Sequence, residues 1–411
     1  MSSKTSDINI FKQLNLSDKL LFLFIVLEIF GIMGDALQSV RLYGLVLVPV
    51  TITYFIKNKG DIYVFRLEIF TFLLWISYGV ISLLWTPDPG QSIKDIVYLF
   101  VNFFIFLSMI SLSRKANHPE KIISAAWFIL FLLTIPIALN ELINDVHLPM
   151  AVQDEGLVLK YANITFERKF ASVTFGNLNG YNTMLMYILP FSLYLLSFIQ
   201  NRFMKILLWS TMLLLIYIII MNGSRGAFLC MFIVFSTYLF LGADRKRRWI
   251  ILTVVSIVVV YASITYFDEI FGLIMGRFEE QGFSDDGRSQ IIRYSLESLL
   301  RTGLIGTGAG SFITTMALKY NLDNPAPHNL FLEVLMQYGI VIFVLFVFFF
   351  VKLYLFQRRT IDPLARFVIL SSLLMTPILT TIDSSYLLGT GIWVFLASLY
   401  IIGLKSTQTE T

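Results

Sequence analysis

The sequence predicts an all-α, polytopic membrane protein, and three observations predict it. Hydrophobic residues make up 57% of the chain and charged ones only 14%, against roughly 45–50% and about 25% in soluble globular domains. The apolar residues fall in long runs of about 20, the length a helix needs to cross the hydrocarbon core of a bilayer. Lys and Arg gather in alternate connecting segments, as the positive-inside rule requires.

Read in order, the runs give about twelve spans: 18–36, 40–56, 67–85, 94–112, 121–140, 176–199, 204–221, 225–242, 249–266, 327–351, 364–382 and 385–404. The second and eleventh are short enough to be tilted or partly re-entrant. With both termini inside, the inner segments collect Lys4, Lys12, Lys19, Lys57, Lys59, Arg66, Arg114, Lys115, Lys121, Arg202 and Lys205. They also collect Arg245-Lys246-Arg247-Arg248, Lys352, Arg358, Arg359, Arg366 and Lys405, about 20 of the 31 basic residues. Short outer loops are nearly free of them, and Arg225 stands out as the exception. The first apolar run reads as a span and not as a cleavable signal peptide. Loop placement accounts for the net charge of +4, so no nucleic-acid partner is implied, while membrane lipids are. The single cysteine, Cys230, lies within a span and excludes an intrachain disulfide.

Two outer segments are too long for simple connectors. The first, 141–175, is mixed and charged and carries no interpretable motif; its Asn163-Ile-Thr165 triplet is a chance glycosylation match. The second, 267–326, begins a helix near Asp285-Asp286-Gly287. Over 288–301 this helix sets Ile291, Ile292, Leu296, Leu299 and Leu300 on one side, with Arg293, Glu297 and Arg301 largely elsewhere. That is an amphipathic outer-face helix, placed on the membrane surface or over the bundle. Gly306-Thr-Gly-Ala-Gly310 superficially suggests a nucleotide loop but lacks the strand-then-helix context, and reads as a tight turn.

Three polar clusters, Asn222-Gly-Ser-Arg225, Asp286-Gly-Arg288 and Pro327-His328-Asn329, fall on the same predicted face. Ser224 is a favoured N-cap, so Arg225 adds full charge to a helix N-terminus already suited to anions. The alternative is an interfacial anchor that snorkels to headgroups. Arg288 offers a guanidinium fork suited to phosphate, or a local ion pair with its aspartates. His328 is mostly neutral at pH 7 and able to take a proton, or is a structural group at a helix start; Asn329 and Glu333 stand near it. Asn177 and Asn179, in Phe175-Gly-Asn-Leu-Asn-Gly180, suit sugar hydroxyls but equally a helix-entry turn. The three histidines do not cluster, and two adjacent carboxylates, Asp285-Asp286, do not make a metal site on their own.

Taken in order, Gly176-Asn-Leu-Asn-Gly-Tyr181, Gly223-Ser-Arg-Gly226, Gly287-Arg288, Gly303-Leu-Ile-Gly-Thr-Gly-Ala-Gly-Ser-Phe312 and His328-Asn-Leu-Phe-Leu-Glu333 resemble the O-antigen ligase and O-antigen polymerase superfamily. The resemblance covers roughly residues 170–350. It divides the chain into a variable half (1–170), a catalytic core (171–351) and a C-terminal hairpin with a tail (352–411). It implies a GT-C-type glycosyltransferase of the bacterial inner membrane, working on the outer face without metal, nucleotide or other cofactor. The donor it implies is an undecaprenyl-diphosphate-linked oligosaccharide. The acceptor is another lipid-linked glycan for a polymerase, or the lipid A core for a ligase; the sequence leans to the polymerase. Arg225, Arg288 and Ser224 match the part that holds the diphosphate, and His328 the residue that activates or positions the acceptor hydroxyl.

A transporter or flippase of lipid-linked glycans is the rival from another class. Transporters carry ionisable groups or broken helices near the midplane. Here only Glu28 sits near the middle of a predicted span, with Glu333 and Asp383 near the outer end.

Overall fold

The computed structural model describes residues 14–149, 158–161, 164–167, 169–242, 286–322, 325–384 and 386–407. The predicted span 249–266, the basic run Arg245–Arg248, Asp285 and Asn163 lie outside the described residues, and Arg288 is described in its backbone alone.

The helices among the described residues are α1 (Leu16–Val26), α2 (Ser39–Lys57), α3 (Lys59–Val64), α4 (Arg66–Ser82), α5 (Pro89–Lys115), α6 (Pro119–Asn144) and α7 (Leu178–Leu195). There follow α8 (Arg202–Asn222), α9 (Arg225–Thr237, running into a π turn at Tyr238–Gly242), α10 (Asp286–Arg301), α11 (Phe312–Tyr320), α12 (Leu330–Arg359), α13 (Pro363–Leu379) and α14 (Thr390–Thr407). Six of these, α2, α5, α6, α8, α9 with its π turn, and α12, are long and apolar enough to cross a membrane; α13 and α14 are shorter apolar helices. The starts follow local chemistry. Asn15 and Asp18 close a capping box on α1, and Asp88 and Asp362 cap α5 and α13 just ahead of a proline at the first helical position.

The helical expectation gains one small addition within 141–175. Strands β1 (Val158–Tyr161) and β2 (Ile164–Glu167) pair antiparallel, with Val158 opposite Glu167 and Tyr161 opposite Ile164. Both tetrads are rich in β-branched and aromatic residues.

Helix α5 is the centre of the bundle, with α1, α2, α4 and α14 packed on it. An aromatic core joins these helices to α12: Phe72 lies 5.2 Å from Trp393 and Trp75 lies 5.3 Å from Tyr338, ring centre to ring centre. The outer helices α8, α9 and α12 turn most of their residues outward. Val46, Ile206 and Phe232 are 71%, 65% and 68% exposed, a surface suited to hydrocarbon and not to water.

Contacts at the two ends show that successive helices alternate in direction. At one end, Asn15 before α1 donates to the carbonyl of Lys115 in α5 (2.8 Å), Lys352 of α12 to that of Val64 just before α4 (2.8 Å), and Tyr194 of α7 to Asp362 before α13 (3.1 Å). At the other end, Glu141 of α6 meets the segment before α7, Asn222 of α8 holds the same segment, and Arg41 of α2 donates to the carbonyl of Leu388 before α14. The second end carries the candidate site.

Three details differ from the sequence expectation. The predicted span 18–36 is α-helical only to Val26; it continues as a 3-10 turn over Leu27–Phe30 and bends at Gly31. Glu28 therefore sits at a break and not mid-helix. Span 327–351 is interrupted at Gly339, whose φ of 74° lies in the left-handed region, and residues 304–308 dock against that break. The apolar side of α10 is divided: Leu299 is buried and Ile291 packs inward, whereas Ile292, Leu296 and Leu300 stay exposed. Serines and Tyr294 fill the rest of the inward side, Tyr294 stacking on Tyr320 of α11 at 4.2 Å.

Candidate functional site

Two of the three predicted polar clusters, and the Asn177 segment, contain helix N-caps. Asn177 Oδ1 accepts from the Gly180 amide at 2.7 Å, Ser224 Oγ from the Ala227 amide at 3.4 Å, and Asn329 Oδ1 from the Leu332 amide at 3.0 Å. Each cap satisfies an amide the helix itself leaves over. The helix-entry reading of Asn177 therefore holds, and Asn329 joins it. Asn179 lies half-buried in the first turn of α7.

The segment leading into α7 is fixed by two buried side chains. Glu141 Oε2 accepts from the amides of Ser172 (2.7 Å) and Val173 (2.9 Å). Asn222 Oδ1 accepts from the Ala171 amide at 2.7 Å, and its Nδ2 donates to the Ala171 carbonyl and to Asn182 Oδ1. Asn222 is thus a tie between α8 and α7. His147 belongs to the same clamp, stacked on Phe170 with Nδ1 3.5 Å from Glu141.

Arg225 is exposed at the first position of α9. Behind it, a Cβ on Gly226 would stand 2.7 Å from Ile382 Cγ1, so only glycine lets α9 approach the α13–α14 loop this closely. His328 precedes the start of α12 by two residues, half-buried, with φ of 38° in the left-handed region. Arg288 lies in the first turn of α10, the helix packed against α12. Glu333 is 4% exposed in the first turn of α12, beside the Leu387 backbone, Gln337 and Asp95.

The α13–α14 loop is the part sequence reasoning missed, and it links the others. Ile382 touches Gly226; Asp383 bonds to the Asn177 side chain; Leu387 meets Glu333 through its backbone and receives Asn102 Nδ2 at 3.0 Å on its carbonyl. Arg41 donates to the Leu388 carbonyl at 2.7 Å while stacked 3.8 Å from the Tyr98 ring centre. Ile382 and Leu387 are five residues apart, so at most about 18 Å of extended chain separates the α9 contact from the α12 contact. Burial pushes the Asp383 carboxyl above its ordinary value. The available signal was Asp383 itself, a lone acid beside Ser384 between two apolar runs.

The glycine-rich segment is a structural turn, as its sequence context indicates. The amides of Thr307 and Gly308 donate to the Met336 and Gln337 carbonyls, both at 2.9 Å, and the Ala309 amide to Ser82 Oγ at 3.0 Å. Ser92 Oγ also donates to the Ala309 carbonyl. Amides spent in this way cannot cradle a phosphate. Among the described residues, no three His, Cys, Asp or Glu side chains come together as a metal-holding group.

Comparison with known proteins gives two matches. The sequence model of the family described as O-Antigen ligase matches residues 210–347, the stretch from within α8 into α12. The chain is also similar to the Teichuronic acid biosynthesis protein TuaE of Bacillus subtilis (strain 168), 24% identical over 313 residues. That alignment covers 72% of this chain and 62% of the relative, so the chain spans under two thirds of the relative's length. Together the matches make a family-level link to the O-antigen ligase and polymerase superfamily, membrane proteins of bacterial surface-polysaccharide and lipid-linked glycan biology.

Proposed function

We propose that the protein is an inner-membrane glycosyltransferase that uses an undecaprenyl-diphosphate-linked oligosaccharide on the outer face, polymerising surface-polysaccharide repeat units without metal or nucleotide. Its catalytic core is residues 171–351, and both termini are cytoplasmic. The observation that carries this reading is the convergence of α7, α9 and α12 on the α13–α14 loop, with Arg225 exposed at a helix start.

The acceptor hydroxyl oxygen attacks the anomeric carbon of the donor sugar, the bond from that carbon to the phosphate oxygen breaks, and undecaprenyl diphosphate leaves. Charge grows on phosphate oxygens, which Arg225, Arg288 and the N-terminus of α9 stabilise. His328, neutral at the start, takes the proton of the acceptor hydroxyl. Transfer to a lipid A core acceptor is the second reading, favoured by the match to the O-Antigen ligase family.

The test is purified protein in proteoliposomes with undecaprenyl-diphosphate oligosaccharide and no nucleotide or added metal, with products resolved by glycan length. A ladder that falls about 10²–10⁴-fold in His328→Ala, as for loss of a general base, supports the polymerase. Arg225→Ala should weaken donor use in the same assay. Product formed only with added lipid A core makes it a ligase. Movement of the lipid-linked glycan across the bilayer without product makes it a transporter and ends the enzyme reading.

A further inference from the structure

A cavity of about 120 Å³ opens between the broken end of α1, the start of α7 and the α13–α14 loop. Its polar wall is rich in hydrogen-bond acceptors. Glu28, 3% exposed, receives the Thr390 hydroxyl on Oε2 at 3.1 Å, while its Oε1 has no hydrogen-bond partner in the protein. Gln38 Oε1, also on the lining residues' side, is buried and likewise unpartnered. The third acceptor is Asp383. Arg41 acts on Glu28 from nearby, yet its guanidinium donates to the carbonyls of Asp35 and Leu388 and lies on the Tyr98 ring. A buried acceptor without a donor is unfavourable, so this wall calls for an occupant that brings donors.

Size and the remaining lining narrow the occupant. Taking roughly 10–15 Å³ of such space per water-sized group, the cavity admits on the order of ten non-hydrogen atoms, about one sugar ring. Phe175, Tyr187 and Tyr386 supply aromatic surface for the ring's C–H faces. None of the residues lining the cavity is Lys or Arg, so a uronic acid's carboxylate would be buried there without a cation, and the cavity suits a neutral or amino sugar. The neighbouring Ile382 lies on Gly226, next to Arg225, so the cavity adjoins the proposed diphosphate site.

We propose that this cavity is a subsite for one neutral or amino sugar ring of the lipid-linked glycan, whose hydroxyl groups donate to Glu28, Gln38 and Asp383. The inference rests on the glycosyltransferase reading above.

The test uses the full chain in nanodiscs, treated with dicyclohexylcarbodiimide, with labelling of Glu28 and Asp383 followed by peptide mass spectrometry. Three probes are compared: undecaprenyl diphosphate alone, the same lipid carrying N-acetylglucosamine, and the same lipid carrying glucuronic acid. At about ten times its Kd, the N-acetylglucosamine lipid should slow labelling about tenfold, and the other two should leave it unchanged. Gln38→Ala, at the half-buried edge, should reduce that protection even if Glu28→Gln does not fold. Equal protection by the bare lipid or by the glucuronic acid lipid overturns the proposal, as does no protection by a lipid that binds. If none of the lipids binds, the glycosyltransferase reading fails separately. Free N-acetylglucosamine then decides the subsite: protection sustains it and none overturns it.

Discussion

Glu141 shows how much the fold of the site end depends on single buried groups. Its carboxylate answers two backbone amides, those of Ser172 and Val173, in the turn that delivers α7. Glu141→Ala leaves both amides buried without an acceptor, at roughly 1–3 kcal/mol each. Thermal unfolding in detergent should show a clear loss of Tm, with a smaller loss for Glu141→Gln, which keeps one acceptor oxygen. Asp383 carries the opposite sign. Burial raises its pKa from 3.8, so the folded state favours the protonated form. Its stabilising contribution is complete below the unfolded value and is lost as pH rises through the folded one. Relative to Asp383→Asn, the wild type should therefore lose Tm as pH rises above the ordinary aspartate value of about 3.9; parallel Tm curves for the two proteins would refute this.

At the scale of elements, the break in α12 is the feature with the clearest energetic content. Gly339 has φ of 74°, and a Cβ there would strike the carbonyl oxygens of Leu304 and Ile305. The same break lets the Ile340 amide donate to the Leu304 carbonyl at 3.0 Å, so helix and glycine-rich turn are locked together. Gly339→Val should destabilise by more than the roughly 1–3 kcal/mol cost of placing a side chain in this essentially glycine-only backbone region, because the turn must also move. Limited proteolysis between α10 and α11 would report that movement; unchanged cleavage and an unchanged Tm would contradict it. The N-caps at Ser224 and Asn177 were legible in the sequence because Ser and Asn at helix starts obey a short-range rule; the same rule covers Asn329, which its place beside His328 had assigned to the substrate. The break at Gly339 was not, since a glycine inside a long apolar run reads the same in a straight helix.

For the whole molecule, the distribution of apolar surface is what makes the bilayer part of the fold. Val46 is 71% exposed on α2, whereas its neighbour Leu47 is 7% exposed. Val46→Leu should be neutral for insertion and stability. Val46→Arg places a charge against hydrocarbon, costing about 2.5–3.5 kcal/mol at a helix centre, and should reduce membrane-inserted protein in a fractionation assay. Equal insertion of the two variants would mean that this face of α2 does not meet lipid.

Composition and run length determined the multi-pass membrane class, most helix positions and the helix-start character of Ser224 and Asn177, because these depend on transfer to lipid and on chemistry within one helical turn. They also brought Arg225, Arg288 and His328 to notice as a set. Only the tertiary structure decided that Glu28 stands at a break, that Asn177 meets Asp383, and that the α13–α14 loop joins α7, α9 and α12. Those pairings link residues distant in the chain, as Asn177 with Asp383 and Gly226 with Ile382. Nothing local encodes them; they follow from close packing of helices whose apolar faces look alike in sequence and differ only in which neighbour they meet.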